Sequence, residues 1–394
     1  MAQPIPNKLK AARADISGPK FTTLLVDGSN ILKLSMSACR QTSSNGKEVG
    51  GIFQFLLQLK IMLQKGNFRH VYVFWDGENS GELRYRLNSD YKGNRDKNYD
   101  ESELSDYMKE FNAKVRSMQD YFCGKHKSEK PRRSDDTEKE LFYEQRDVII
   151  QCLEEMSIRQ CMCDLTEADD FIGYYVTHKE PNERIVIMSN DRDLTQLLSD
   201  DVIVYVQSKK MFLTVKNHRK ETGYCHENVL LKKMLCGDAS DNIKGVKGLG
   251  EKTLLANFPE ICERKVTLDE VIRKASAINE TRQAEKKKPL KWASNIVNGV
   301  TDGAQGGRLY EINEKIIDLR RPLMTTESIE LLESIMHEPL DLEGRSYSNL
   351  YKIICESGID ELCDEQKFST FFGEFKNVTF NEEKFAKSFG KNEN

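Results

Sequence analysis

Short apolar segments that end beside acidic residues recur along this chain, and helical patterns separate them. Residues 21–27 end on an aspartate, and residues 71–75 are followed by Asp76. Residues 184–188 lead into the sequence Ser-Asn-Asp-Arg-Asp at 189–193. Strand and helical patterns that alternate in this way predict an α/β fold with a mostly parallel sheet and helices on both faces. Because ligands bind at the carboxyl ends of parallel strands, we expect these acids to meet in one crevice.

The acids expected in this crevice need positive charge nearby. Two unit charges about 4 Å apart interact by several kcal/mol near a protein surface, so unpaired carboxylates at this density repel one another. Hard cations with oxygen ligands, Mg²⁺ or Mn²⁺, relieve that repulsion. Two such cations about 3.5–4 Å apart would orient a water molecule and stabilise a leaving oxygen in phosphodiester hydrolysis. The candidate metal ligands are nine acids: Asp27, Asp76, Glu167, Asp169, Asp170, Asp191, Asp193, Asp238 and Asp241.

Each of these acids also has a simpler explanation. An aspartate after a strand commonly caps a helix or forms a turn. An acidic stretch such as residues 167–170 is favoured in the first turn of a helix by the helix dipole. The same coincidence at four separate places favours a cation site over four independent caps.

The composition excludes several classes of protein. The 59 Lys and Arg residues against 63 Asp and Glu residues give a net charge of −4, so the chain is no polycation and any basic surface is local. No apolar run reaches the ~18 residues of a membrane span. The first 20 residues lack the apolar segment of a secretory signal. None of the ten cysteines forms a CxxC pair, so free thiols in a reducing, intracellular compartment are expected.

The first part of the chain forms the predicted α/β core. Residues 1–20 lack periodicity and are predicted to be a flexible tail, and the core covers residues 21–223. Within it, residues from about 96 to 145 are very polar, and helical patterns flank a basic stretch. This pattern predicts a solvated helical hairpin.

Strand patterns stop after residue 223. Residues 224–375 are predicted to be a helical region, with a polar, glycine-bearing loop inserted at about 262–307 and three or four helices over 308–373. Residues 376–394 are predicted to be a flexible tail.

Six sequence blocks follow one another along the chain: Leu25-Val-Asp-Gly-Ser-Asn30, Phe74-Trp-Asp76, Tyr91-Lys-Gly-Asn-Arg95, Glu167-Ala-Asp-Asp170, Ser189-Asn-Asp-Arg-Asp193 and the glycine-rich residues 237–253. They resemble, in the same order, the blocks of the phage and bacterial 5′-nuclease family, flap-endonuclease-like enzymes with a PIN-like core. One block alone would be weak evidence, but six in order are specific. Within the family, the length and the helical C-terminal part are most similar to the phage ribonuclease H type of 5′→3′ exonuclease, which removes RNA primers.

The resemblance implies roles for the acids and for three basic residues. Asp27, Asp76, Glu167 and Asp169 would bind the metal that activates the attacking water, and the other five acids would serve the second metal. Lys92 matches a lysine that contacts the scissile phosphate, where its charge would stabilise the transition state. Arg95 and Arg84 are candidates for a second phosphate contact. The simpler alternative is an ordinary exposed basic helix end.

The resemblance also implies two nucleic-acid-binding parts. The polar hairpin falls where the family has a helical arch over a single-stranded 5′ end, although a solvated loop is the alternative. The glycine-rich block matches a helix–three-turn–helix clamp on duplex DNA, which in relatives also holds K⁺. The candidate DNA-binding residues are Tyr91, Lys125, Lys127, Lys130, Arg132, Arg133, Gly245, Lys247, Gly248, Gly250, Lys252 and Thr253.

We therefore expect a monomeric, Mg²⁺-dependent 5′→3′ exonuclease and flap endonuclease that acts in primer removal during viral or cellular DNA replication. Its substrate would be duplex DNA with a 5′ flap, a nick or an RNA primer. Residues 365–372 resemble a sliding-clamp peptide, although an amphipathic core helix explains them too, and the phenylalanines of residues 380–389 are a rival docking site. A clamp or a single-strand-binding protein is the expected partner.

Three other functions compete with this expectation. A catalytically inactive nucleic-acid binder is disfavoured because the full acid set is present. A PIN-type nuclease that acts on RNA alone is disfavoured by the complete clamp loop. A P-loop nucleotide-binding protein is disfavoured because no GxxxxGK[ST] motif is present.

Overall fold

The computed structural model describes residues 21–44, 46–93, 135–339 and 343–389. One six-stranded sheet has the order β3-β2-β1-β4-β5-β6. Five of its strands run parallel, and β6 pairs antiparallel with β5. The strands are β1 (Thr23–Asp27), β2 (His70–Phe74), β3 (Arg159–Cys161), β4 (Ile185–Met188), β5 (Val202–Val206) and β6 (Met211–Leu213).

Helices cover both faces of this sheet, as the alternating pattern predicts, and continue into the C-terminal half. The helices of the first half are α1 (Gly28–Ala38), α2 (Gly50–Leu63), α3 (Glu82–Leu87), α4 (Asp135–Glu155), α5 (Ala168–His178) and α6 (His218–Thr222). Those of the second half are α7 (Val229–Cys236), α8 (Glu251–Asn257), α9 (Leu268–Ala284), α10 (Lys291–Asn298), α11 (Leu309–Ile317), α12 (Thr326–His337), α13 (Tyr347–Ser357) and α14 (Glu365–Phe389).

The central strand β1 shows why the apolar segments fold as they do. All five of its residues are buried. Side chains alternate between the two faces of a strand, so Leu24 and Val26 pack in one core and Leu25 packs in the other. Burial on both faces is typical of a parallel strand between helical layers, and it confirms the predicted α/β architecture.

The helical region contains two features that differ from the prediction. A small antiparallel pair, β7 (Gly237–Asp238) and β8 (Ile243–Lys244), lies after the point where strand patterns stop. Its backbones approach so closely that a Cβ on Gly237 would lie 2.3 Å from the Ile243 carbonyl oxygen. Two-residue strands held by glycine carry no alternating pattern, so periodicity does not reveal them.

The loop predicted at about 262–307 is largely helical. Helices α9 and α10 form a hairpin there, and Val271, Ala275, Ala293 and Ile296 pack with the helices around the glycine-rich block. A side chain also locks the turn of this hairpin, because Asn279 hydrogen-bonds the Leu290 backbone. The buried apolar residues of this segment are small and widely spaced, so the segment looks polar in the sequence and was predicted as a loop.

The last helix corrects the predicted boundary of the C-terminal tail. Helix α14 is continuous from Glu365 to Phe389, beyond the predicted tail start at residue 376. Phe368, Phe371 and Phe372 are buried in the core beside the sheet. The segment that resembles a sliding-clamp peptide is therefore an amphipathic core helix, the alternative explanation. No helix in the described part of the chain is long and apolar enough to cross a membrane.

Candidate active site

The carboxylates predicted to converge lie at the carboxyl-terminal edge of the sheet, as the parallel topology requires. They form two tight groups in which one oxygen of each residue lies within 4.8 Å of the others. The first group contains Glu167, Asp169 and Asp170, and the second contains Asp193, Asp238 and Asp241. The second group joins the core to the helical region, because Asp238 is in β7 and Asp193 follows β4.

Asp27 ends β1 and caps helix α1 at the same time. Its carboxylate accepts hydrogen bonds from the Asn30 amide at 3.1 Å and from the Ser189 hydroxyl at 2.8 Å. Burial and the neighbouring Asp76 raise the pKa of Asp27 to about 6. Asp76 accepts a hydrogen bond from the Ala168 amide at 3.0 Å, which connects it to the start of α5. The helix-cap explanation is thus correct for Asp27, but it does not account for the crowding with Asp76.

Glu167 lies among three donors. Lys92 Nζ contacts its Oε1, the Tyr91 hydroxyl donates to its Oε2 at 3.0 Å, and Arg84 lies 3.3 Å away. Burial opposes the charge on Glu167, but Arg84 and Lys92 outweigh it and lower the pKa of the carboxyl. Glu167 is therefore held as a carboxylate by positive charge from the chain itself.

Asp170 forms a buried pair with Arg84. Its side chain is fully buried, and both oxygens accept hydrogen bonds from the guanidinium, at 2.6 and 2.8 Å. The Leu323 amide adds a third bond at 3.1 Å. The side chain of Arg84 is 4 % exposed. The metal-binding role of Asp170 stays a prediction, because Asp170 also belongs to the first group of acids. The prediction for Arg84 is corrected: its guanidinium is buried against Asp170 and is not placed to contact a phosphate.

Asp169 carries the clearest sign of a cation site. Its Oδ1 is buried, and none of the described residues donates a hydrogen bond to it. The Arg84 guanidinium lies 3.9 Å from this oxygen, beyond hydrogen-bond distance. Burial, together with Asp170 and Glu167, raises the pKa of Asp169 well above its usual range. A buried carboxylate oxygen without a hydrogen bond is costly, and a divalent cation would satisfy it.

The second group contains a lysine that the sequence analysis did not single out. Lys233 of α7 contacts both Asp193 and Asp238 through its Nζ. Burial and Asp191 raise the pKa of Asp193 to about 7, against the opposing effect of Lys233. Burial also raises the pKa of Asp191. The lysine thus supplies part of the positive charge that these acids need.

Lys92 connects the two groups of acids. Its Nζ contacts Glu167, and its backbone amide donates to the carbonyl oxygen of Asp241 at 2.8 Å. Its φ of 54° lies in the left-handed region, which is uncommon for a residue with a side chain and is often found at functional sites. The Lys92 side chain is 23 % exposed, so it borders the crevice.

The other predicted nucleic-acid contacts have different outcomes. Tyr91 is 5 % exposed and packs with Ile243 and Ile312, so the prediction of a DNA contact is corrected to a buried donor for Glu167. Arg95 lies outside the described part of the chain. The predicted arch residues also lie outside it; they are Lys125, Lys127, Lys130, Arg132 and Arg133.

The glycine-rich block forms a tight surface turn between β8 and α8. Gly248 has a φ of 78°, which a side chain disfavours, and Gly250 immediately precedes α8. Gly245 packs so closely that a Cβ there would lie 2.3 Å from the backbone of Cys236. Lys247 and Lys252 are exposed, and Thr253 is partly buried. A DNA contact by this turn stays a prediction.

Hydrogen bonds between loops position the acids, and sequence reasoning missed most of these residues. The Asp76 amide donates to Ser29 Oγ at 2.9 Å, and the Asn190 amide donates to Asn30 Oδ1 at 3.0 Å. Ser189 links Asp27 to the Asp191 amide. The small polar residues after β1 and β4 are part of the sequence blocks described above. Their hydrogen-bond partners could not be predicted, because they depend on how the loops pack against one another in three dimensions.

Comparison with known proteins agrees with this geometry. Residues 22–223 match the family model described as 5′-3′ exonuclease, N-terminal resolvase-like domain. DNA polymerase I of Bacillus subtilis is 27 % identical over 257 residues, which are 63 % of this chain and 24 % of that protein. A 5′-3′ exonuclease of Halalkalibacterium halodurans is 28 % identical over 248 residues, which are 59 % of this chain and 67 % of that protein. The chain thus spans about a quarter of the polymerase and about two thirds of the exonuclease.

The fold has a solved counterpart. A structure of T5 5′-exonuclease, described as having divalent zinc ions bound, aligns with 85 % of this chain and 98 % of its own length, at a TM-score of 0.53 and 17 % identity. At this level of identity the likeness supports the architecture alone. It agrees with the PIN-like sheet and the helical region described above.

Proposed function

We propose that this chain, which belongs to the 5′-3′ exonuclease family through its resolvase-like domain at residues 22–223, hydrolyses phosphodiester bonds near the 5′ ends of nucleic acids. The single observation that carries the proposal is the buried, unpartnered Oδ1 of Asp169 within a crevice of converging carboxylates. Such a donor set fits hard divalent cations, for which Mg²⁺ is the proposed ion and Mn²⁺ the proposed substitute.

Asp27, Asp76, Glu167 and Asp169 would hold one cation, and Asp191, Asp193, Asp238 and Asp241 would hold the other. Bound there, the cations would supply an activated water and neutralise charge on the leaving oxygen. Asp170 would serve the second cation only indirectly, because Arg84 occupies both of its oxygens. Its part is to keep Arg84 beside Glu167 and Asp169.

Lys92 is the proposed contact to the scissile phosphate. Its Nζ contacts Glu167 at the edge of the crevice, and its partly exposed ammonium can reach a phosphate oxygen there. A positive charge held close to the reacting phosphate stabilises the charge that builds in the transition state. The left-handed backbone of Lys92 and the hydrogen bond that its amide donates to the Asp241 carbonyl oxygen would fix the position of this ammonium.

The proposed substrate is duplex DNA that carries a 5′ flap, a nick or an RNA primer. The glycine turn before α8 would hold the duplex, with K⁺ as a further proposed ion, and the basic arch would pass the single strand. We place the activity in RNA primer removal during DNA replication, inside a cell and in a monomeric protein. A sliding clamp or a single-strand-binding protein is the proposed partner, but the clamp contact cannot be Phe368, Phe371 and Phe372, which are buried.

The test is cleavage of a 5′-labelled flap and of a nicked duplex, each with a DNA or an RNA 5′ end, in Mg²⁺ and in EDTA. We compare the wild-type protein with Asp191→Asn. Asp200→Asn is the matched control, because Asp200 is exposed and precedes β5 at the opposite edge of the sheet.

The proposal predicts Mg²⁺-dependent release of short 5′ products, a loss of at least a hundredfold in Asp191→Asn, and little change in Asp200→Asn. Tight binding without cleavage in Mg²⁺ or Mn²⁺ would contradict the enzyme and favour an inactive binder. Cleavage of RNA strands alone would instead favour the RNA-only nuclease.

A further inference from the structure

The α9–α10 hairpin contributes none of the acids of the active site, yet it is firmly built. Thr267 and Glu270 form a reciprocal capping box at the start of α9. At the far end, Asn279 donates to the Leu290 carbonyl and to Ser294 Oγ, at 3.2 and 3.0 Å, and accepts from the Leu290 amide at 2.7 Å. The turn between the two helices is thus fixed to α9 rather than left as a free loop.

This hairpin also holds the glycine turn that precedes α8. The Lys247 amide donates to the Val300 carbonyl at 2.8 Å, and Asn295 Nδ2 donates to the Lys247 carbonyl at 2.8 Å. Ala293 and Ile296 of α10 share one core with Leu254 of α8. The hairpin and the glycine turn are therefore parts of one packed unit, and a ligand bound to the turn would lie beside α10.

The tip of the hairpin is strongly basic. Residues 282–291 contain five basic side chains and one acid, Glu285. Lys286, Lys287, Lys288 and Lys291 are all exposed. Lys287 forms an exposed pair with Glu285 at 2.8 Å, which offsets one charge and leaves a net positive tip.

The tip lies on the same side of α10 as the glycine turn. Lys291 and Asn295 are four residues apart in one helix, so they share a face at about 5–6 Å between their Cβ atoms. Because Asn295 contacts Lys247, Lys291 at the start of α10 lies on the helix face that meets the glycine turn. The eight residues of α10 span about 12 Å, which corresponds to about four base pairs of B-form DNA.

We propose that the basic tip at residues 286–291, the "hairpin tip", is a second contact to the backbone of a nucleic-acid duplex held by the glycine turn. The inference rests on the proposed function and adds a site to it. Exposed lysines in line with a docking turn match the phosphate backbone in charge, and such contacts position a duplex without reading its sequence. Asp302 pairs with Lys247 at 2.6 Å and offsets the charge of that lysine at the turn itself, so the exposed positive charge is concentrated at the tip.

The experiment measures binding of blunt DNA duplexes by fluorescence anisotropy in EDTA, so that no strand is cut. The duplexes lengthen in steps of about four base pairs, the reach of α10. The variant carries Lys286→Gln, Lys287→Gln, Lys288→Gln and Lys291→Gln. The matched control carries the same change at four exposed lysines on other helices and loops, namely Lys216, Lys220, Lys352 and Lys367.

We expect the hairpin-tip variant to bind long duplexes about tenfold more weakly and to lower the slope of log affinity against log salt by about two to four units. Its affinity for the shortest duplex that wild type binds should be unchanged, because that duplex does not reach the tip. The control should retain both the affinity and the slope of wild type.

Equal losses in variant and control would overturn the proposal, since they would reflect bulk charge alone. An unchanged affinity in the hairpin-tip variant would also overturn it, as would equal losses for short and long duplexes. Flap cleavage in Mg²⁺, measured in parallel, separates this result from the proposed activity. A wild type that cleaves while the variant binds normally contradicts only the hairpin tip, and a wild type that binds through the tip without cleaving contradicts only the enzyme.

Discussion

At the scale of single residues, the most consequential contact is the one between Arg84 and Asp170. The two residues are 86 positions apart and are buried together, and the guanidinium donates two hydrogen bonds to the carboxylate in a bidentate ion pair. Removing one member of a buried ion pair leaves an uncompensated charge, which is far costlier than the loss of an exposed pair. This pair therefore supports the stability of the site as well as its geometry.

Arg84→Met should lower the free energy of unfolding by about 3–5 kcal/mol, because Asp170 would remain buried without its partner. Arg86→Met is the matched control on the same helix, since Arg86 pairs with Glu82 in an exposed contact at 3.0 Å. Arg86→Met should lower the free energy of unfolding by less than about 1 kcal/mol. Urea unfolding of both variants measures the difference, and equal costs would contradict a structural pairing of Arg84 with Asp170.

The raised pKa of Asp27 predicts how the stability of the folded protein depends on pH in the absence of divalent cations. The folded state raises the pKa of this carboxyl from 3.8 to about 6, so folding favours the protonated form. The contribution of Asp27 to the free energy of unfolding is therefore greatest below pH 3.8 and is lost as the pH rises through about 6. Asp27→Asn cannot ionise and should flatten this part of the profile.

Thermal unfolding in EDTA between pH 4 and pH 8 measures this effect for wild type and Asp27→Asn. The stability of wild type relative to the variant should fall by about 3 kcal/mol across that range, as an order of magnitude. Mg²⁺ should remove the fall in the wild type, because a bound cation favours the carboxylate. A parallel profile for the two proteins would show that Asp27 is not the titrating group.

At the residue scale, the sequence predicts the position of a side chain when that residue directly follows a recognisable strand. Asp27 and Asp191 could be placed because the ends of parallel strands share an edge. The pairing of Arg84 with Asp170 could not be predicted, since it depends on how α3 approaches α5 in space. The same holds for Tyr91, whose hydroxyl bonds Glu167 while its ring packs against Ile243 and Ile312 of the helical region.

At the scale of elements, α7 determines how the second group of acids is held together. Lys233 of this helix contacts Asp193, which begins the short helical turn after β4, and Asp238 in β7. One side chain thus links the core to the helical region at the crevice. A cation bound by the same acids would provide the same link.

Lys233→Met should destabilise the protein by about 1–3 kcal/mol in EDTA, because two partly buried carboxylates lose their partner. In saturating Mg²⁺ most of that loss should disappear, since the cation would take over the link. Lys232→Met is the control on the same helix, because Lys232 pairs with Glu251 away from these acids. Thermal unfolding with and without Mg²⁺ gives the comparison, and a loss in Lys233→Met that Mg²⁺ leaves unchanged would contradict the shared site.

The elements that sequence analysis placed correctly are those with long or fully apolar patterns, such as β1 and α2. The α9–α10 hairpin was missed because Ala275 and Ala293, two of its core residues, are small and give a weak pattern. The extent of α14 was missed because its later turns are polar, although the helix continues to Phe389.

At the scale of the whole molecule, the fold brings two separate regions to one crevice. The parallel sheet presents its acids at a single edge, and the helical region adds Asp238 and Asp241 from the β7–β8 turn. The same region presents the glycine turn and the basic hairpin tip. Acidic and basic surfaces therefore coexist on a chain whose net charge is only −4.

The central claim is that the converging carboxylates form a divalent-cation site, and titration calorimetry with Mn²⁺ tests it most directly. We predict two bound cations in the wild-type protein, fewer in Asp169→Asn and in Asp191→Asn, and two in the control Asp200→Asn. Reduced binding in the first two variants alone would confirm that the buried oxygen of Asp169 and the acids after β4 are ligands. Failure of the wild-type protein to bind Mn²⁺, or equal binding in all four proteins, would contradict the account.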